Sequence, residues 1–194
     1  MKRPKLDPLS EAGIRRKTRT YLRRYWPSRA QLRRVLLRHI DRNWHRWGGD
    51  REEARGRVQP LLEELVASGA LNDARFTQAW VEQLDRKGMS RRAIIAKMRE
   101  KGVSEELVQH ELRRVEMEGG DRELMRAIAY ARRRRLGPAQ TDPVRRESRR
   151  KKDLAAMARA GFSYSVASTV LRAEDLDALI EEAREGGIAP VSRS

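Results

Sequence analysis

The sequence predicts an all-α protein built as a tandem array of three-helix repeats. Three observations lead to this prediction: apolar residues recur at helical spacing, no segment alternates with the period of a strand, and one helical segment reappears 59 residues later. Arrays of small units that share their cores usually bind an extended partner. We therefore expect three units in an elongated, curved array, with a basic N-terminal tail and an extra C-terminal helix.

The predicted boundaries follow turn residues and shifts of composition. They give a disordered basic tail at 1–10, three-helix repeats at 11–70, 71–118 and 119–173, and an acidic helix and tail at 174–194. The first tail has two prolines and few apolar residues, as disordered segments do. The end of the chain from Gly186 is expected to fray.

The first repeat opens with a helix that should stop near Pro27, carrying one apolar stripe of Tyr21, Leu22 and Tyr25. Ser28 is a good N-cap for a second helix, whose inward residues are Leu32, Val35, Leu36 and Ile40. The segment RNWHRWGGD at 42–50 is expected to be a loop.

The next helix of this repeat has two possible starts. Asp50 and Glu53 have the spacing of a capping box, whereas Gly56 and Pro60 indicate that the helix kinks or begins nearer Gln59. A helical stripe follows and ends at Gly69; its members are Val58, Leu61, Leu62, Leu65 and Val66.

The second repeat should start with Asn72 or Asp73 as N-cap and bury Phe76, Trp80 and Leu84. Serines then cap two further helices, at Ser90 and Ser104. Gly102 supplies the left-handed residue that ends the middle helix, with Val103 positioned for the apolar contact of a Schellman turn. The buried stripe of the middle helix is Ile94, Ile95 and Met98.

The third repeat copies the second. Residues 91–112 align with 150–171, which matches Gly102 with Gly161 and Ser104 with Ser163. Ser28 of the first repeat aligns with Ser90 in the same way. Before the copied segment lie a helix with Leu124, Ala127, Ile128 and Ala131, the turn GPAQTDP, and Asp142–Pro143 as cap and first helical residue.

The charge and composition of the chain limit the classes of partner that it is expected to bind. Lys and Arg number 44 against 28 Asp and Glu, a formal net charge of +16, so a polyanionic or acidic partner is expected. There is no Cys for disulfides or thiolate metal sites, and no apolar run long enough to span a membrane. The start MKRPKLDPLSEAG lacks the apolar region of a secretory signal. We expect a cytoplasmic monomer.

Little in the sequence predicts enzyme chemistry. His39, His45 and His110 lack the mutual spacing of metal ligands, and neither GxxxxGK[ST] nor GxGxxG occurs. Adjacent carboxylates such as Glu63 and Glu64 point to different sides of a helix, unlike an acid/base pair. The prediction is a protein that is not an enzyme and has no catalytic residue, cofactor or metal.

Four segments carry a resemblance to a known family. They are LNDARF at 71–76, RKGMSRRAIIAKMREKGVSEELV at 86–108, YLRRYWPSRAQLRRVLLRHI at 21–40 and MARAGFSYSVASTVL at 157–171. The chain resembles the RecX regulators of the RecA recombinase. The resemblance implies a regulator that lodges in the groove of the RecA filament on single-stranded DNA and inhibits recombination, with effects on DNA repair and the SOS response.

The residues expected to contact this partner are cations on the polar faces of equivalent helices. They are Arg29, Arg33, Arg34 and Arg38 in the first repeat, Arg91, Arg92, Lys97, Arg99 and Lys101 in the second, and Lys151 and Lys152 in the third. Arg132 and Arg133, in the arginine run that ends the preceding helix, are further candidates. A cation on a helix surface is most often only solvated, so the repeated placement carries the hypothesis. The run 132–135 could equally complement a helix dipole.

Two other functions remain open at this point. The chain could bind single- or double-stranded nucleic acid directly, using helix pairs and its positive charge. It could instead be a helical scaffold for an acidic protein. Trp44 and Trp47 could stack on unpaired bases or pack against neighbouring helices.

Overall fold

The computed structural model describes residues 7–185, and those residues form helices joined by turns, with no strand. The helices are α1 Glu11–Leu22, α2 Arg29–Trp47, α3 Arg51–Gly56, α4 Val58–Ala67, α5 Asp73–Arg86, α6 Arg91–Glu100, α7 Glu105–Met117, α8 Arg122–Arg134, α9 Pro143–Arg159, α10 Tyr164–Arg172 and α11 Leu176–Glu185. A 3₁₀ turn, Gly137–Ala139, precedes α9. The predicted all-α class of helical repeats is confirmed.

The chain divides into two compact units. The first is Met1–Phe76 with Glu100–Val103, and the second is Thr77–Arg99 with Ser104–Ser194. This division places residues 73–76 of α5, and residues 100–103 at the end of α6, in the same unit as α1 to α4. The sequence analysis assigns both segments to the second repeat. The boundaries of the three repeats stay a prediction.

The core of the first unit lies among α1, α2, α3 and α4. Its buried members are Leu9, Ile14, Leu32, Leu36, Ile40, Ala54, Val58, Leu61, Leu62 and Leu71. Leu9 belongs to the segment predicted as a tail, and Ser10 caps α1 by accepting from the Gly13 amide at 3.1 Å. Residues 7–10 therefore pack with the unit, because Leu9 supplies apolar surface that the sequence pattern did not connect to a core. Residues 1–6 lie outside the described residues.

The loop predicted at 42–50 is wrong, because α2 continues through Trp47. No glycine or proline interrupts the segment before Gly48, and Trp44 extends the stripe of Ile40 by one helical turn. Trp44 packs against the first core, and its indole Nε1 donates to the Gly49 carbonyl at 3.1 Å. Packing of this ring thus stabilises the last turn of α2.

The stripe predicted for the first helix is also corrected. α1 ends at Leu22, and Tyr25 is 55% exposed. The buried residues of α1 are Gly13, Ile14 and Thr18, and the predicted Tyr21 and Leu22 pack half-buried against the first core. Tyr25 lies beyond the last helical turn, so helical spacing no longer determines its direction.

The predicted kink after Asp50 is confirmed. The Asp50 carboxylate caps α3 by accepting from the amides of Glu52 and Glu53 at 2.9 and 3.0 Å. The helix then breaks at Arg57, and α4 starts at Val58. Both readings of this segment were therefore partly right: a short capped helix precedes the main one.

In the second repeat, α5 begins at Asp73, and Asn72 is its cap, since its side chain accepts from the Arg75 amide at 2.9 Å. Phe76 and Leu84 are buried as predicted, and Trp80 is half-buried. In α6 and α7 the buried apolar side chains at helical spacing are Ile94, Met98, Val108, Leu112 and Val115. Ile95, which was predicted to be buried with them, is half-buried.

One contact recurs with equivalent residues in each unit, and we call it the serine–glycine joint. In the first unit the Ser28 hydroxyl caps α2 and donates to the Lys101 carbonyl at 2.6 Å, beside Gly102. In the second unit the Ser90 hydroxyl caps α6 and donates to the Ala160 carbonyl at 2.6 Å, beside Gly161. Each joint satisfies a carbonyl that the end of a helix would otherwise leave unpaired.

The second unit has a core built by α8, α9, α10 and α11. Its buried members are Ala127, Ile128, Ala131, Leu136, Met157, Phe162, Ala167, Val170, Leu171, Leu176 and Leu179. The predicted N-cap Asp142 accepts from the amides of Val144 and Arg145 at 3.0 and 3.2 Å. α11 buries its apolar face in this core, as its spacing predicts. The fraying predicted from Gly186 falls outside the described residues.

Candidate partner-binding surface

The cations predicted on α2 fall into two groups. Arg33 and Arg38 are exposed, and their side chains make no hydrogen bond or ion pair in the described range. Arg29 approaches Glu63 at 3.8 Å, and Arg34 donates to the Glu100 carbonyl at 3.0 Å. Because Leu32, Leu36 and Ile40 fix the buried face of α2, the cations between them point outward.

The cations predicted on α6 divide in the same way. Arg92 is exposed and Lys97 half-buried, and neither has a partner among residues 7–185. Arg99 pairs with Glu105 at 2.8 Å, and Lys101 takes part in an intramolecular interaction. Arg92 and Lys97 are thus the cations of this helix that remain available to a partner.

Arg91 has an intramolecular role that the sequence does not reveal. Its guanidinium donates to Glu116 and Gln109, and its amide donates to the Glu123 carboxylate at 3.1 Å. Glu123 also receives a bond from Arg126 at 3.2 Å. Arg91 is therefore a structural residue that joins α6 to α7 and α8, whatever else it contacts.

Arg126 is the most deeply buried charge in the described part of the chain. Its side chain is 2% exposed and its Nε donates to Asp85 at 2.6 Å. Removing one partner of an isolated buried pair costs about 3–5 kcal/mol, and the second contact of Arg126, to Glu123 at 3.2 Å, offsets part of that cost here. Apolar spacing alone could not predict this network, because Arg126 occupies a position beside the buried Ala127 and Ile128.

In the third repeat two of the predicted cations, Arg133 and Lys152, line a basic cleft. Arg132 pairs with Asp177, and Arg133 donates to the Lys87 carbonyl with its guanidinium over the Tyr130 ring at 5.7 Å. Lys151 and Lys152 are exposed and have no partner in the described range. The basic cleft has a volume of about 600 Å³ and is lined by Arg133, Arg134, Leu136, Arg149, Lys152, Asp153, Ala155, Ala156 and Arg159.

Beside the predicted Lys152, the cleft includes two α9 cations that the sequence analysis did not predict, Arg149 and Arg159. Arg149, Lys152 and Arg159 follow the spacing i, i+3, i+10 on α9 and so share one stripe, which is a signal that the sequence did carry. Asp153, 3% exposed, accepts from the Gly137 amide at 3.1 Å, so its charge is used within the fold. The remaining positive charge suits the oxygens of phosphates or carboxylates.

The exposed aromatic residues differ from those that the sequence singled out. Trp44 is committed to the first core, and Trp47 is 41% exposed. Tyr25 and Trp26, at 55% and 53% exposed, present more of their rings to solvent. Their interleaving with Arg23 and Arg24 in YLRRYW was the available signal.

The carboxylates with shifted pKa values are partners of arginine. Hydrogen bonds from Arg51 and Arg55, at 3.0 and 2.8 Å, hold the pKa of Asp41 below its usual range. The hydrogen bond from Arg114 likewise lowers the pKa of Glu82. These groups stay ionised at neutral pH, and each of them ties one helix to another.

Two kinds of site are not found in the described residues. Between residues 7 and 185, no group of three or more His, Cys, Asp or Glu side chains is arranged to hold a metal ion. In the same range, no helix is both long enough and apolar enough to cross a membrane.

Comparison with known proteins identifies the family. Residues 72–112 match a family model described as RecX, second three-helix domain. A regulatory protein RecX of Myxococcus xanthus is 43% identical over 151 residues, covering 78% of this chain and 80% of the relative. Those of Corynebacterium efficiens and Agrobacterium fabrum are 27% and 28% identical, over 81% and 73% of this chain and 77% and 72% of theirs. No solved structure gives a significant match. The chain belongs to the RecX family of regulatory proteins.

Proposed function

We propose that this protein regulates the RecA recombinase by binding in the groove of the RecA filament on single-stranded DNA. In this proposal it inhibits the ATPase, recombinase and strand-exchange activities without forming or breaking covalent bonds itself. The observation that carries the proposal is the 43% identity to a regulatory protein RecX over 78% of the chain.

The free cations support this proposal. The side chains of Arg33, Arg38, Arg92 and Lys97 have no partner within the described range and lie on α2 and α6, two helices that align with each other. Contacts that are individually weak add when they are linked along one chain, because each later contact is intramolecular. A filament repeats the same acidic or phosphate surface at regular intervals, so a protein with repeated cations can engage several subunits.

The first experiment measures RecA-driven strand exchange and ATP hydrolysis with increasing amounts of the purified chain. Inhibition of both is the expected result, and unchanged rates at saturating protein would reject the proposal. A second measurement compares affinity for single-stranded DNA that is bare with affinity for DNA coated by RecA and ATP. Affinity should increase with the coat and become less salt-sensitive, since bare single strands lose about 0.7 in log K per phosphate for each tenfold rise in salt.

Charge reversal can locate the contact surface. The double variant Arg92→Glu/Lys97→Glu should weaken inhibition, because it removes two unpaired cations from α6. Arg75→Glu/Arg113→Glu is the matched control: both residues are exposed, have no ion-pair partner among residues 7–185, and change the net charge equally. Arg91 is avoided because its reversal would break the contacts to Glu116 and Glu123. Equal effects of the two double variants would show that only net charge matters.

A second function, direct binding of nucleic acid, is favoured by the basic cleft of α8 and α9. Five cations line it, and the one acid among them is buried. Measurable affinity for bare DNA that is lost in Arg149→Glu/Lys152→Glu would support this function. It is compatible with filament binding, because a groove site would bring basic helices close to the bound strand.

A further inference from the structure

A short segment between α1 and α2 exposes two aromatic rings side by side in the sequence. Tyr25 and Trp26 are 55% and 53% exposed, although aromatic residues make up only 5% of the chain. Large aromatic side chains are normally buried, where they contribute most to a core. Two neighbouring aromatic rings exposed to solvent therefore indicate a binding surface.

Each ring is held in place from one side. The Tyr25 ring lies 4.7 Å from the Tyr21 ring, at an interplanar angle of 36°. The Trp26 ring meets the edge of Phe76 at 6.4 Å and 75°, and Phe76 is itself 1% exposed. After them, Pro27 and Ser28 are buried and fix the chain. Rings that are already positioned lose little conformational entropy when a flat ligand stacks on them.

The electrostatic surroundings select a polyanion. Arg23 and Arg24 are exposed and have no hydrogen-bond or ion-pair partner for their side chains in the described range. Between residues 12 and 40 the chain carries ten Lys and Arg and no Asp or Glu. The surplus of positive charge along this stretch is therefore greater than in the chain as a whole, and the exposed rings lie in the middle of the stretch.

We infer that Tyr25 and Trp26, together with Arg23 and Arg24, form a stacking platform for single-stranded nucleic acid. Unpaired bases present flat π faces that stack on aromatic rings, and the adjacent phosphates pair with arginine. A duplex keeps its bases stacked on one another, so this surface should discriminate against it. The platform contacts the strand itself and does not depend on RecA, which separates this inference from the proposed regulation of RecA. Its aromatic rings separate it from the cation-lined cleft of α8 and α9.

The test measures fluorescence anisotropy of a labelled 20-nucleotide oligothymidine with the full chain, in the absence of RecA. Tyr25→Ala and Trp26→Ala should each weaken binding by roughly 5- to 150-fold, the range for loss of one base–aromatic stack. Tyr25→Phe and Trp26→Phe keep a π face and should retain affinity within about threefold. Tyr164→Ala, which removes an exposed ring at the start of α10, is the matched control and should change affinity by less than about twofold.

An abasic oligonucleotide of the same length separates stacking from charge. The wild-type chain should bind it as weakly as the alanine variants do, because phosphates remain but bases do not. Equal affinity of the wild type for the abasic and the oligothymidine strands would overturn the inference. So would wild-type affinity in Tyr25→Ala, whose ring supports no buried residue and whose loss should leave the fold intact by circular dichroism. If these variants instead lose only binding to RecA without DNA, the surface is a protein interface and the inference is wrong.

Discussion

Alanine at Gly102 should destabilise the first unit much more than alanine at Gly69. Both glycines end helices with nearly the same backbone, at φ +76° and +73°. An added Cβ at Gly69 would meet nothing within 4 Å, whereas at Gly102 it would lie 2.4 Å from the Ala30 Cβ. The left-handed conformation costs a non-glycine residue about 1–2 kcal/mol at either position. Overpacking adds about 1–3 kcal/mol at Gly102 alone, for a total of roughly 2–5 kcal/mol.

The assay is urea denaturation followed by tryptophan fluorescence. Trp26, Trp44 and Trp47 lie in the first unit, as do both glycines, so the signal reports mainly on that unit. The difference between the two variants isolates the close approach, because the backbone strain is common to both. Equal losses of unfolding free energy would refute the reasoning and show that Gly102 does not pack against Ala30.

Three further predictions concern charge, pH and the second joint. Asp85→Ala should cost about 3 kcal/mol in urea denaturation, the lower end for breaking a buried pair, because Arg126 loses its closest partner but keeps Glu123. Asp177→Ala, at the exposed Arg132 pair, should cost less than about 1 kcal/mol. Similar losses in the two variants would contradict the burial argument. Burial, with Lys17 and Arg16 nearby, lowers the pKa of His39 from 6.5. The unfolded state therefore binds the proton more readily, and the free energy of unfolding should fall as the pH drops through 6.5. His39→Gln should reduce the pH dependence of the urea midpoint, and an unchanged pH dependence would reject this role of His39. Ser90→Ala should cost about 1–3 kcal/mol in thermal melts, because it loses the helix cap and the hydrogen bond to the Ala160 carbonyl. Ser148→Ala, at an exposed serine, should cost less than about 0.5 kcal/mol. Equal shifts of the melting temperature would show that the serine–glycine joint does not stabilise the fold.

Local rules explain which features could be predicted from the sequence. Ser28, Asn72, Ser90 and Asp142 each cap the helix that follows them, because a cap needs only a side-chain oxygen two or three residues before an amide. The apolar stripes of α2 and α6 were likewise readable from spacing. The loop at 42–50 was predicted wrongly because this segment is mostly polar and has few apolar residues at helical spacing. Packing of Trp44 against the first core, a tertiary contact, accompanies the continuation of α2 through this segment.

The candidate surface was less predictable, since exposure of a cation does not depend on spacing alone. Arg91 and Arg92 are neighbours on α6, yet the first is bound to Glu116 and the second has no partner in the described range. Which acid faces which arginine depends on helices far apart in the sequence. The predicted contact residues therefore remain a hypothesis, now reduced to those whose charges the fold leaves unused.

The sequence by itself determined that this chain is helical, repeated, strongly basic and related to RecX, because these properties follow from residue type and short-range order. It also identified Ser90 and Gly161 as recurring residues. Only the tertiary structure decided that the hydroxyl of Ser90 would lie 2.6 Å from the carbonyl next to Gly161, and that Trp26 would remain half in solvent. Such contacts join segments about 70 residues apart, and no local pattern specifies a distance between them.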